Sequence, residues 1–240
     1  MHGTGTLINV ALIIAGGLLG LFFGKKMTGR YQESLMMANG VAVLFIGIIG
    51  AAEQMIAFEG GKLSSQGTLM MTISLAAGAV VGEFLNIEHQ MERFGQWLKA
   101  KTGNASDKQF VGGFVTATLT VCIGAMAIIG AIQDGTIGDP TILIAKGVLD
   151  FAIILVMTAS MGKGCIFSAI PVGIFQGVIT ALSGFLKPLI TEPMLANISS
   201  VGSILVFCVG VNLIWGKKIR VANLLPAIII AILWEVVSSI

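Results

Sequence analysis

Charge is what this chain has least of. Only 11% of its 240 residues are Asp, Glu, Lys or Arg, against about 25% in an ordinary soluble domain. A water-facing surface needs far more, which excludes a soluble globular fold. The 14 basic and 12 acidic residues nearly cancel to a net +2, so no basic face is available for nucleic acid. Cysteine is also scarce. Cys122, Cys165 and Cys208 lie in or beside apolar runs, with neither a disulfide framework nor a zinc spacing, and read as small packing residues. The two histidines, His2 and His89, have no metal-ligand partner at helical spacing, and no nucleophile–base constellation or phosphate loop occurs. Twelve methionines lack the Met-x-x-Met spacing of a copper path and read as gap fillers. The expectation is a protein that is not an enzyme and carries no cofactor or metal.

What is abundant is apolar sequence in long runs: 55% of residues, with a mean hydropathy of +0.95. A helix crosses the hydrocarbon core with about 20 such residues. Every backbone polar group must be satisfied within the span, and unbroken runs rather than ten-residue alternation select helices over a barrel. The chain is therefore expected to be all-α, a polytopic integral membrane bundle of about eight helices forming one transmembrane domain over 1–240. The spans read Thr4–Gly24, Ser34–Phe58, Gly67–Ile87, Phe110–Gln133, Pro140–Met161, Cys165–Leu186, Asn197–Trp215 and Val221–Val237. Asp139 before Pro140 is a start signal for the fifth. Between the third and fourth, Ile87, Met91, Phe94 and Leu98 recur at helical spacing beside Trp97. That segment is either an amphipathic surface helix or an extension of the third span. The first run lacks a positive leader and is followed by Lys25 and Lys26, so it reads as a membrane helix rather than a cleavable signal.

Loop charge sets an orientation. The odd loops carry Lys25, Lys26, Arg30, Arg93, Lys99, Lys101, Lys108, Lys163, Lys217, Lys218 and Arg220; the even loops carry only Lys62 and Lys187. The positive-inside rule puts the odd loops in the cytoplasm and both termini outside.

Most of the 32 glycines fall inside spans, where small residues let helices approach closely. Gly16, Gly20 and Gly24 form one ridge, Gly78 and Gly82 another. A shift of 62 residues superposes Gly5-Thr6-Leu7 on Gly67-Thr68-Leu69 and Gly20 on Gly82. A shift of 107 superposes Ala38, Gly40 and Val41 on Ala145, Gly147 and Val148. The second would make halves 1–87 and 110–190 an inverted repeat, with the last two helices following.

Ionisable groups at membrane depth cost about 2.5 to 3.5 kcal/mol on insertion scales and mark function by default. Lys146 and Asp150 are four residues apart in the fifth span, on one face and near its middle. Asn9, Asn39, Gln133, Gln176 and Asn212 are the polar residues expected to converge with them on a substrate or ion site. A structural ion pair that pins the fifth helix is the competing reading. Glu53, Glu83 and Glu235 lie nearer helix ends and can reach interfacial water.

The stretch Cys122-Ile123-Gly124-Ala125-Met126-Ala127-Ile128-Ile129-Gly130, then Gln133-Asp134-Gly135, Lys146, Asp150 and Gly162-Lys163-Gly164, resembles a bacterial membrane family catalogued as domain of unknown function 554, the YdfK- and YqgA-like proteins. Gly5-Thr6 with Asn9, Gly82-Glu83 and Asn223-Leu224-Leu225-Pro226 extend the resemblance over the whole chain. It implies a multi-pass protein of the bacterial plasma membrane with transport as its role, and brings no substrate or mechanism. The expectation is a secondary transporter of a small solute or ion, in contact with membrane lipids and compatible with a homo-oligomer. A channel and a non-transporting scaffold are the alternatives.

Overall fold

The structure, a computed structural model, describes residues 2–59 and 62–238. The apolar runs are helical because a helix satisfies its own backbone. Helix α1 spans Thr4–Gly24 and α2 spans Gly29–Met55. At ~40 Å, α2 outruns the hydrocarbon core, and its expected continuation to Phe58 is instead a hairpin of β1 (Ile56–Glu59) and β2 (Lys62–Ser65), with Phe58 opposite Leu63. Helix α3 (Thr68–Leu85) ends at Asn86, whose φ of 50° turns the chain into α4 (Ile87–Lys101). The segment after the third span is therefore a separate helix, made possible by an asparagine that tolerates the left-handed region.

The fourth run departs from expectation. It is not one helix Phe110–Gln133 but two, α5 (Phe110–Cys122) and α6 (Ala125–Ile137), bent by 65° at Ile123–Gly124. Gly124 has φ 149°, which an L side chain rarely adopts. Helix α7 (Thr141–Met161) follows, then a 3-10 turn Lys163–Ser168, α8 (Ala169–Ala181) and the short α9 (Ser183–Leu186). Helix α10 covers Glu192–Trp215, and a second 3-10 turn, Val221–Leu224, leads into α11 (Pro226–Ser238). Asp139 accepts the backbone N–H and hydroxyl of Thr141 at 3.0 and 2.6 Å, as its place before α7 suggested. Those hydrogen bonds hold its carboxyl below the usual range.

Among the described residues seven helical segments are long and apolar enough to span a membrane, and the bent pair is the candidate for an eighth crossing. The packing shows that the pair crosses rather than doubles back. Gly5 of α1 meets Leu143 of α7, Gly16 meets Phe151 and Gly24 meets Ala159, so these helices run parallel. Parallel running requires an odd number of crossings between them, and α2 and α3 supply only two. The start of α5 lies against Gly164 at one end of the molecule, and Asp134 near the end of α6 lies against Gly5 at the other. By contrast α2 and α10 run antiparallel (Gly40 beside Leu213, Gly50 beside Ser203), as do α3 and α11 (Gly78 beside Ala227, Gly82 beside Asn223). Both glycine ridges are thus the faces on which helix backbones touch.

Two packing units result. One buried cluster joins α1, α5, α7 and α8 through Ile13, Ala117, Val121, Ile154, Met157 and Val172. The other joins α2, α3, α4, α10 and α11 to the opposite face of α5 through Val43, Met70, Leu98, Phe114, Leu205 and Ala227. Large apolar side chains such as Phe22, Phe45, Val80, Phe84 and Ile174 point outward, as lipid contact demands. The basic loops share one end: Lys163 Nζ donates to Asn104 Oδ1 at 3.2 Å, Lys217 pairs with Glu92 at 2.5 Å, and Arg220 pairs with Glu83 at 3.0 Å. Cysteines placed in Thr102–Asp107 and in Lys62–Ser65 should therefore label from opposite sides of the membrane with an impermeant maleimide. Labelling from the same side would break the eight-crossing topology.

Candidate functional site at a broken helix

A helix that stops inside a membrane leaves the carbonyls of its last turn without partners. Helix α5 stops at Cys122, and the partner comes from α7. Lys146 Nζ donates to Val121 O at 2.7 Å and to Asp150 Oδ2 at 2.5 Å. Lys146 is 6% and Asp150 3% exposed. Asp150 is about 14 Å along α7 from its first residue, near the middle of the helix. A lysine four residues before an acid is the weaker order for a helical pair. The ammonium is fixed here by two acceptors, one of which exists only because α5 is broken. The cation also suits the negative end of the α5 dipole.

Asn9 of α1 completes the cluster. It is 0% exposed, its amide oxygen lies against Gly147 between the two charged residues, and its side chain lies beside Asp150. Its amide nitrogen lies within loose hydrogen-bonding reach of the Asp150 carboxylate, and its amide oxygen has no partner. The structure thus brings Lys146, Asp150 and Asn9 together, and it leaves the other expected members elsewhere. Asn39 and Gln176 are buried on α2 and α8 without a hydrogen bond to the pair; both amide atoms of Gln176 and Nδ2 of Asn39 lack partners. Gln133 lies toward the far end of α6. Asn212 is committed to the α10–α11 loop: its Oδ1 accepts the N–H groups of Lys218 and Ile219, and its Nδ2 donates to Ile219 O.

Two cavities lie toward the two ends of the molecule, and neither is lined by Lys146, Asp150 or Asn9. At the basic end a cavity of about 410 Å³ is lined by Glu33, Glu88, Glu92 and Lys217 and, from α5, by Thr116 and Leu119. At the other end a cleft of about 630 Å³ lies between α1, α6 and α8, lined by Thr6, Gly135, Gly173 and Thr180. Beside it, fully buried Asp134 accepts the Gly5 N–H at 2.9 Å, while its carbonyl accepts from His2 Nδ1 at 3.3 Å.

Two features escaped the sequence. The break itself had only Gly124 as a signal, among many intramembrane glycines. The second is a clamp at the basic end. Asn223 Oδ1 accepts the Glu88 N–H at 2.7 Å, Glu88 Oε2 accepts the Ala222 N–H at 3.0 Å, and Lys217 bridges Glu88 and Glu92. Burial pushes the Lys217 ammonium down, but the hydrogen bonds and charges of Glu92 and Glu88 outweigh it, so its pKa stands above the ordinary lysine value. A raised folded pKa contributes stability that is complete below the unfolded value and lost as pH rises through the folded one. The melting-temperature difference between wild type and Lys217→Met should therefore hold from neutral pH up to about pH 10.4 and close above it. A difference unchanged into strong alkali would mean that Lys217 acts through packing alone.

The fold and site define a polytopic α-helical membrane protein with an ion pair at a helix break. The family described as "Protein of unknown function (DUF554)" matches residues 4–236, and the chain belongs to that family. It is similar to the "Uncharacterized membrane protein YdfK" of Bacillus subtilis (strain 168), 29% identical over 226 residues, covering 94% of this chain and 93% of that one. It is also similar to the "Uncharacterized protein YqgA" of Escherichia coli (strain K12), 27% identical over 231 residues, covering 95% and 94%. No solved structure matches.

Proposed function

We propose that this protein is a secondary transporter of a small solute or ion in the bacterial plasma membrane, with the α5–α6 break, Lys146 and Asp150 as its central site. The observation that carries this reading is the position of the pair. A lysine that served only to join helices would be cheaper as an apolar residue, whereas this one closes the open end of a discontinuous helix. Discontinuous helices at the midplane are how many transporters build ion and substrate sites. The two packing units, which meet at α5 and along the α2–α7 contact, support motion of one unit against the other. The excess of Lys and Arg at one end supports that end as cytoplasmic, with both termini outside.

Reconstitution into liposomes tests the reading. A transporter shows saturable flux and counterflow of labelled solute against its own gradient. A steady conductance without counterflow would mean a channel. Absence of both across cations, anions and small neutral metabolites would leave a scaffold.

A further inference from the structure

Two groups at the α5 break present negative ends to one point. Val121 O belongs to the open last turn of α5, whose carbonyls carry the negative end of the helix dipole. Asp150 Oδ2 lies opposite it, with the Lys146 ammonium between them at 2.7 and 2.5 Å. Asn9, fully buried with its amide oxygen unpartnered, lies beside Asp150. A main-chain carbonyl, a carboxylate and an amide oxygen are the donors that alkali cations accept in membrane proteins.

We propose that the Lys146 ammonium is a tethered occupant of a site for a small monovalent cation (sodium, potassium or ammonium), formed by Asp150, the α5 terminal carbonyls and the Asn9 amide oxygen. This names the substrate class of the transport site and rests on that reading. Charge decides between classes. Without the ammonium the site holds one net negative charge. A monovalent cation cancels it; a neutral solute leaves Asp150 uncompensated, a divalent ion leaves an excess positive charge, and an anion adds to the Asp150 charge, each costly in a low dielectric.

The exchange balances. The bound cation takes the place of the Lys146 ammonium; one N–H bond of that ammonium breaks, its electron pair stays on nitrogen as the lone pair of a neutral amine, and the proton passes to bulk solvent. The charge in the membrane is unchanged, and one cation is bound for each proton released. Cation affinity therefore rises with pH.

The test uses purified protein. Lys146→Ala removes the tethered ammonium. Its melting temperature should rise by about 3 °C or more in saturating sodium, potassium or ammonium chloride relative to choline chloride of equal ionic strength. The rise should vanish in Lys146→Ala/Asp150→Asn. Wild-type protein in weak buffer should release protons on addition of the same salts, and the double variant should not. No melting shift in folded Lys146→Ala overturns the proposal. If that variant yields no folded protein in any of the salts, absence of proton release from wild type overturns it instead. Liposomes separate this proposal from the transport reading: cation binding without flux keeps the site and removes transport, whereas flux of a neutral or anionic solute with no cation effect keeps transport and removes the site.

Discussion

Replacing Lys146 by methionine should lower the unfolding free energy by about 3 to 5 kcal/mol, because it strands the Asp150 carboxylate in the membrane interior. The change also removes the donor that closes Val121 O. The double variant Lys146→Met/Asp150→Leu leaves no buried charge and should recover most of the stability, since apolar replacement of a whole buried pair is often tolerated. Melting temperature and monodisperse yield read the stability half of this prediction. The functional half divides the two roles of the pair. A purely structural pair predicts a double variant that is stable and retains flux. A transport site predicts one that is stable and has lost flux or ligand-induced stabilisation. Full flux in a well-folded double variant would remove Lys146 and Asp150 from the site.

The second large effect is expected at Gly82. A Cβ there would overlap the Asn223 carbonyl, which is backbone and cannot move aside. Overpacking typically costs about 1 to 3 kcal/mol. The cost at Gly82 should reach the top of that range or beyond, because displacing Asn223 also pulls its side chain from the Glu88 N–H and shifts Ala222 from Glu88. Gly82→Ala should sharply lower melting temperature, and Gly82→Leu should give no folded protein. Gly112→Ala is the control, since nothing lies within 4 Å of a Cβ there. It should be neutral or stabilising by about 0.5 to 1 kcal/mol, as expected for relieving glycine in a helix. Equal melting of Gly82→Ala and wild type would show that α3 and α11 can part without cost.

Much of the fold was legible in the sequence. The apolar runs marked the spans, and loop lysines and arginines grouped the connections that the structure places at one end. Gly16, Gly20, Gly24, Gly78 and Gly82 were visible as close-packing ridges, because a residue without a side chain in a lipid-facing sequence has few other uses. Lys146 and Asp150 stood out because a buried charge is costly wherever it falls. The break at Ile123–Gly124 was not legible. The run from Phe110 to Ile137 contains no proline, and a single glycine in a membrane helix interrupts it only if something else satisfies the freed carbonyls. Here that is Lys146, 25 positions from Val121.

Asn212 shows the same limit from the other side. By composition it was as good a candidate as Asn9, for both are lone asparagines in apolar helices. One reaches a loop and meets its backbone N–H groups, whereas the other ends beside the charged pair with its amide oxygen unpartnered. Class, span number and the existence of an intramembrane ion pair follow from the sequence alone, because the solvation of apolar and charged groups in lipid depends on residue type and local spacing. Which carbonyl the lysine closes, which helices run parallel and which polar groups meet were decided by tertiary structure, because hydrogen bonds between distant segments depend on positions that no local pattern encodes.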